Sequence, residues 1–199
     1  MAKLLSLPLI ALALLALVPE TALAHPAHAA GGFGLGLVHP FGGLDHVLAM
    51  VAVSLFAWHL GGKALWLVPL AFVGTMAMAG ALGMAGFSLP LVELGIALLV
   101  VVIGGLVALG RSLPTVVAMT IVGGFALFHG QAHGAEMVQT ASGLAYGAGF
   151  VLATTLLHGA GILTGVTTDR VRTSSGLTFA RTSGAAIAAA GVLILAGAI

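Results

Sequence analysis

The chain contains no cysteine. That excludes disulfides, thiolate metal sites and cysteine nucleophiles. Charge is almost as scarce: Lys, Arg, Asp and Glu make up 6% of 199 residues, against about 25% in soluble domains. A chain so poor in charge cannot coat a water-facing surface. A formal net charge of +1 offers no basic face for phosphates, which argues against nucleic acid as a partner. No Gly-Lys phosphate loop is present, so the chain carries no apparatus of its own for ATP hydrolysis.

What the chain has instead is apolar length. Hydrophobic residues make up 60% and glycine contributes 30 positions. The expected fold class is all-α: a polytopic membrane bundle of six transmembrane helices after a cleavable signal peptide. Residues 1–24 read as that signal, with Lys3 ahead of the apolar run Leu4 to Val18 and Ala22-Leu23-Ala24 as a small-residue cleavage site. Residues 25–199 then form one transmembrane domain. Its six apolar stretches fall at 42–60, 64–86, 90–109, 114–133, 140–165 and 178–198. Pro90 and Pro114 sit at helix starts, where a missing N–H is harmless. Gly130-x-x-x-Gly134, Gly143-x-x-x-Gly147 and Gly161-x-x-x-Gly165 suit close helix approach in lipid. Gly31 to Gly36 reads as a flexible linker.

A cleaved signal leaves the mature N-terminus outside. Threading six spans from there puts Lys63, Arg111, Arg170, Arg172 and Arg181 at the cytoplasmic ends, as the positive-inside rule requires. The C-terminus is then external. Three spans before Arg111 and three after it suggest inverted repeats.

Polar groups concentrate on the external side. Val47 to Trp58 carries no formal charge, yet it is too short to span alone, since about 20 residues are needed. Spanning therefore draws Asp45 and His46 into the membrane, where an ionisable group is a functional-site hypothesis by default. His39, Asp45 and His46 lie at the outer end of the first span. Glu93 lies at the outer end of the third, and His129 and His133 toward that of the fourth, with Glu136 just beyond. His129 and His133 are spaced i, i+4 and share a helix face, as do His46 and Met50. Two imidazoles so placed can grip one metal ion.

Other readings stand beside ligation for single residues. Asp45 can orient an imidazole instead of binding metal. Glu93 can cap its helix. His158, in the inner half of the fifth span on a stripe with Tyr146, Phe150 and Thr154, reads as an exit-side ligand or a packed core residue. His59 reads as interfacial. Met76, Met78 and Met84 read as lipid-facing or core rather than as a copper ladder. Cleavage after Ala24 would give His25 a free α-amino group, making it either a chelating capture site with His28 or part of a disordered terminus.

Imidazole and carboxylate without thiolate suit Ni²⁺, Co²⁺, Zn²⁺ or Cu²⁺ and do not separate them. Calcium and magnesium prefer all-oxygen shells. Ligation needs neutral His, so acid should weaken binding. The expected partners are a divalent transition-metal ion, the lipid bilayer and, as an option, a second copy of the chain. No resident cofactor is expected.

These residues resemble the HupE/UreJ family of nickel and cobalt permeases. His39 to Met50 is similar to that family's H-P-x-x-G-x-D-H-x-x-x-M motif. Phe128 to Glu136 is similar to its F-H-G-x-A-H-G-x-E signature. Pro90 to Ala97 is similar to P-x-x-E-x-G-I-A, and Ala153 to His158 to A-T-x-x-L-H. One departure is Val138, where the family usually has Pro. The resemblance implies a bacterial inner-membrane permease for Ni²⁺ or Co²⁺, not an enzyme; the threading above puts both mature termini in the periplasm. The resemblance implies motif roles for His39, Asp45, His46, His129, His133 and Glu136. The alternative reading is an intramembrane metal-dependent hydrolase, which would keep an open position on Zn²⁺ for water.

Overall fold

The computed structural model describes residues 32–136, 141–171 and 176–198. Residues 1–24, His25 and His28 lie outside this set, as do the side chains of Glu136 and Arg170. Among the described residues the protein is all-α, with seven α-helices. They are α1 (Gly32–Val38), α2 (Leu44–Leu60), α3 (Ala64–Met84), α4 (Val92–Ala108), α5 (Thr115–Glu136), α6 (Ala141–Val171) and α7 (Gly176–Leu195). A 3-10 turn, His39–Phe41, joins α1 to α2.

Helix α2 is the axis of the bundle. It packs against α3, α4, α6 and α7, and Val47 to Met50 and Ala52 to Ala57 are all buried. A helix apolar on every side is stable only when enclosed. Outside it lies a belt of exposed apolar side chains, including Trp66, Leu70, Leu144, Leu156, Leu163 and Val192. In water such a belt would be an aggregation surface; against lipid it is the expected exterior. The hydroxyls of Thr120, Thr155, Thr164, Thr168 and Thr182 each donate to the carbonyl four residues back. That satisfies them without water, as the hydrocarbon region demands.

Among the described residues four helices are long and apolar enough to cross a membrane: α3, α5, α6 and α7. Helix α2 joins them only together with α1, from which it is bent by 75°. Helix α4 has 17 residues, about 25 Å at 1.5 Å per residue, slightly short of a hydrocarbon core of about 30 Å. Its start is set by Leu91, which holds φ 59° immediately after Pro90.

The segment expected to be a linker is not one: Gly32–Val38 forms α1. A Cβ on Gly32, Gly36 or Gly149 would land on the backbone carbonyl of Ser142, Tyr146 or Phe33. Glycine is thus what lets α1 lie directly on α6, and that contact outweighs its poor helix propensity.

The same device fixes the helix pairs. Thr75 meets Gly123, Gly80 meets Gly130 and Gly83 meets Gly134, so α3 and α5 run in the same direction. Ser54 meets Gly161 and Trp58 meets Gly165, so α2 and α6 also run in the same direction. Gly104 meets Gly184 and Val101 meets Gly191, so α4 and α7 are antiparallel. Tight turns at Gly61 and Gly62, with φ 68° and 51°, reverse the chain between α2 and α3. The starts of α2, α4 and α6 therefore share one end of the bundle with the finishes of α3 and α5. Lys63, Arg111 and Arg181 lie at the other end, where Arg181 Nε donates to the Ala108 carbonyl at 3.1 Å.

Candidate metal centre

The break between α1 and α2 builds one wall of the centre. Pro40 is buried inside the 3-10 turn, and Gly42 closes it by donating to the His39 carbonyl at 2.9 Å. Gly43 then caps α2 in an extended conformation. A Cβ there would stand 2.6 Å from Asp45 Oδ1 and 2.8 Å from His46 Nδ1, so the position needs glycine. Asp45 sits in the first turn of α2, where the helix dipole favours an anion.

His46 Nδ1–H donates to Asp45 Oδ1 at 2.7 Å. With Nδ1 committed to the carboxylate, neutral His46 keeps an unprotonated Nε2. His133 Nε2–H, from α5, donates to that nitrogen at 2.5 Å. The ring of His39 lies 4.7 Å from that of His133 and 6.2 Å from that of His46. Ligand-capable atoms of His39, His46 and His133 all fall within 4.8 Å of one another. Imidazole reaches a transition metal at about 2.0–2.1 Å. Seating an ion thus requires the His46 and His133 nitrogens to part to about 3 Å, within rotamer adjustment.

His129 lies one turn deeper on α5, its ring 4.4 Å from His46. Both of its nitrogens, and His133 Nδ1, are buried without a hydrogen-bond partner. An orphaned buried polar group costs about 1–3 kcal/mol, so the donor set suits a cation. Below His129 stands Phe72 of α3, fully buried, with its ring 5.4 Å from His129 and 5.2 Å from His158. His158, on α6, is 2% exposed. Its Nδ1 lies 3.2 Å from Ser54 Oγ, and Ser54 donates to the Met50 carbonyl at 2.6 Å.

The fold thus gathers His39, His46 and His133, with His129 alongside and Asp45 attached through His46. Met50 lies one turn below His46, buried in the core. Glu93 is exposed in the first turn of α4, at the same end of the bundle but outside the group of three imidazoles. His158 stands deeper, its ring against Phe72. Glu136 closes α5. His59 lies half-buried in the last turn of α2, at the opposite end. The stripe Tyr146, Phe150, Thr154, His158 on α6 runs from the cluster to the deep imidazole, with Tyr146 and Phe150 5.6 and 5.9 Å from His39.

Two participants were not singled out from sequence. Ser54 continues the i, i+4 series of His46 and Met50, a signal that was available. Phe72 had none, because only the fold sets it against two imidazoles. A nearly apolar cavity of about 280 Å³ also opens between α3, α5 and α6, lined by Met76, Gly80, Met84, Gly130 and Phe150, with His133 at its edge.

Comparison with known proteins gives the family. The profile of the HupE / UreJ protein family matches residues 12–194. Protein HupE of Rhizobium leguminosarum bv. viciae is 50% identical over 186 residues, covering 94% of this chain and 95% of its own. No solved structure matches the chain. With a match across nearly its whole length and half its residues shared with a full-length relative, the chain belongs to the HupE/UreJ family.

Proposed function

We propose that the protein is a permease that imports Ni²⁺ or Co²⁺ across a bacterial inner membrane. In this reading residues 1–24 are a cleaved signal, α2 to α7 are six spans, and both mature termini are periplasmic. The imidazole end of the bundle faces the periplasm, and the end with Lys63, Arg111 and Arg181 faces the cytoplasm, as the positive-inside rule favours. The family is related to nickel and cobalt transport. The observation that carries the reading is the meeting of His39, His46 and His133, brought from three separate segments to within 4.8 Å. The ion is captured there, with Asp45 holding His46 in its ligating tautomer, and with Glu93, Glu136 and His25 at the entrance. Met50, His129 and His158 mark the inward route.

No coupled ion is needed to drive import. A membrane potential supplies about 2.3 kcal/mol per charge per 100 mV. A divalent ion gains about 4.6 kcal/mol, enough for a gradient above a thousandfold.

The cavity beside His133 is the observation that favours the hydrolase alternative. Its volume of about 280 Å³ falls just below the usual range of roughly 300–1,000 Å³ for small-molecule pockets. It is too small for a lipid or peptide substrate, and the permease reading is preferred.

The test uses the purified chain in proteoliposomes with an inside-negative potential. Labelled nickel or cobalt should enter, and His46→Ala or His133→Ala should abolish uptake while leaving insertion intact. Wild-type vesicles that admit no metal, or both variants transporting at the wild-type rate, would overturn it.

A further inference from the structure

Most helix hydroxyls here are satisfied by their own backbone, but Thr154 Oγ1 is fully buried with no partner. One turn along α6, His158 Nε2 is buried with no partner either. The other nitrogen of that imidazole is accounted for. Ser54 uses its hydroxyl hydrogen on the Met50 carbonyl at 2.6 Å, leaving a lone pair toward His158 Nδ1 at 3.2 Å. His158 must therefore carry its proton on Nδ1 and present an unprotonated Nε2. Asp45 imposes the same arrangement on His46. An imidazole with one nitrogen fixed by a hydrogen bond and the other bare is the form in which histidine binds metals.

The aromatic ring that meets both this imidazole and the outer cluster is Phe72. The Phe72 ring lies against both imidazoles, 5.4 Å from His129 and 5.2 Å from His158. Nothing on that ring can replace a water or an imidazole in the shell of a divalent ion.

Building on the permease reading, we infer that the route holds two ion stations, the outer imidazole cluster and an inner one made by His158 Nε2 and Thr154 Oγ1, with the Phe72 side chain as the barrier between them. The ligand at the inner station is a first-row divalent transition-metal cation that has shed most of its water at the outer one. Passage requires the Phe72 ring to swing aside. Hydrophobic constrictions of this kind gate by excluding water, and conduction needs neighbouring sites weak enough to release.

Two readouts on the same preparation separate the parts: equilibrium binding of nickel to the purified protein, and nickel flux into proteoliposomes. Phe72→Trp, which enlarges the barrier, should lower flux at least tenfold with nickel affinity at the outer cluster unchanged within about twofold. His158→Ala should lower flux at least tenfold and reduce the nickel bound at saturation by one ion. Ser54→Ala, which frees the His158 tautomer, should lower flux several-fold with outer binding intact. Flux within twofold of wild type in Phe72→Trp overturns the barrier, and in both His158→Ala and Ser54→Ala it overturns the inner station. Should His158→Ala lose outer binding through misfolding, Ser54→Ala alone decides. A wild-type chain that binds nickel but moves none fails the permease reading itself, before any variant is compared, and the barrier falls with it.

Discussion

In the proposed metal centre Asp45 acts through His46 rather than on the ion. Its oxygen accepts from His46 Nδ1 at 2.7 Å, and that bond decides which nitrogen is left for ligation. Outer-shell partners of this kind are worth about 10–100-fold in metal affinity. Asp45→Asn keeps an acceptor and should weaken nickel binding about tenfold. Asp45→Ala should weaken it about a hundredfold. Titration of purified protein checks both, and equal affinity for wild type and Asp45→Ala would remove Asp45 from the centre. Gly43→Ala should produce a similar loss by a different route, because the new methyl would stand 2.6 Å from the Asp45 carboxylate. Circular dichroism should show the helices unchanged in that variant. At this scale the sequence was informative where chemistry is dense: imidazoles at i, i+4 beside a carboxylate, inside a stretch that lipid must cover, leave few other uses. It was silent on Phe72, whose position against His129 and His158 depends on how α3 packs against α5 and α6.

Helices α3 and α5 are held by backbone against backbone. A Cβ on Gly130 or Gly134 would land on the carbonyl of Met76 or Gly80. Larger residues there must push the helices apart, and overpacking of this kind costs typically 1–3 kcal/mol. Gly134→Val should therefore lower thermal stability in detergent by several degrees and also weaken nickel binding, because His133 precedes it on the same turn. Gly124 faces open space, and Gly124→Ala should be neutral or slightly stabilising, since alanine favours helix. Equal melting temperatures for Gly134→Val and wild type would refute the close-contact account. The apolar runs located α2 to α7 within three residues of their ends, except that α6 continues six residues past Gly165 to Val171, because hydrophobic length is a direct signal of a helix in an apolar setting. Helix α1 escaped notice for a physical reason. Gly32, Gly34 and Gly36 are poor helix formers alone, and the fit of Gly32 and Gly36 against α6 favours the helix. The 75° break that brings His39 to the cluster was hidden for the same reason.

Among the described side chains the bundle sorts its charges by end. Lys63, Arg111 and Arg181 lie opposite the imidazoles, while Glu93 lies on the imidazole side. Because the natural chain has no cysteine, a single introduced thiol is a clean marker of sidedness. In spheroplasts, a membrane-impermeant maleimide should label Glu93→Cys and spare Lys63→Cys until the membrane is opened. The reverse pattern would turn the proposed orientation over. The helix pairing carries one further implication. Exchanging α2 with α5, α3 with α6 and α4 with α7 carries the α3/α5 pair onto the α6/α2 pair, and returns α4/α7 to itself. Two halves of one chain thus sit upside down against each other, each pressing glycines into its neighbour. The pairing order of α2 to α7 has no intrinsic up or down, and α1, laid on α6 at one end, supplies one. Vectorial behaviour is then written by α1 and by side chains, the imidazole cluster on one rim and the basic residues on the other.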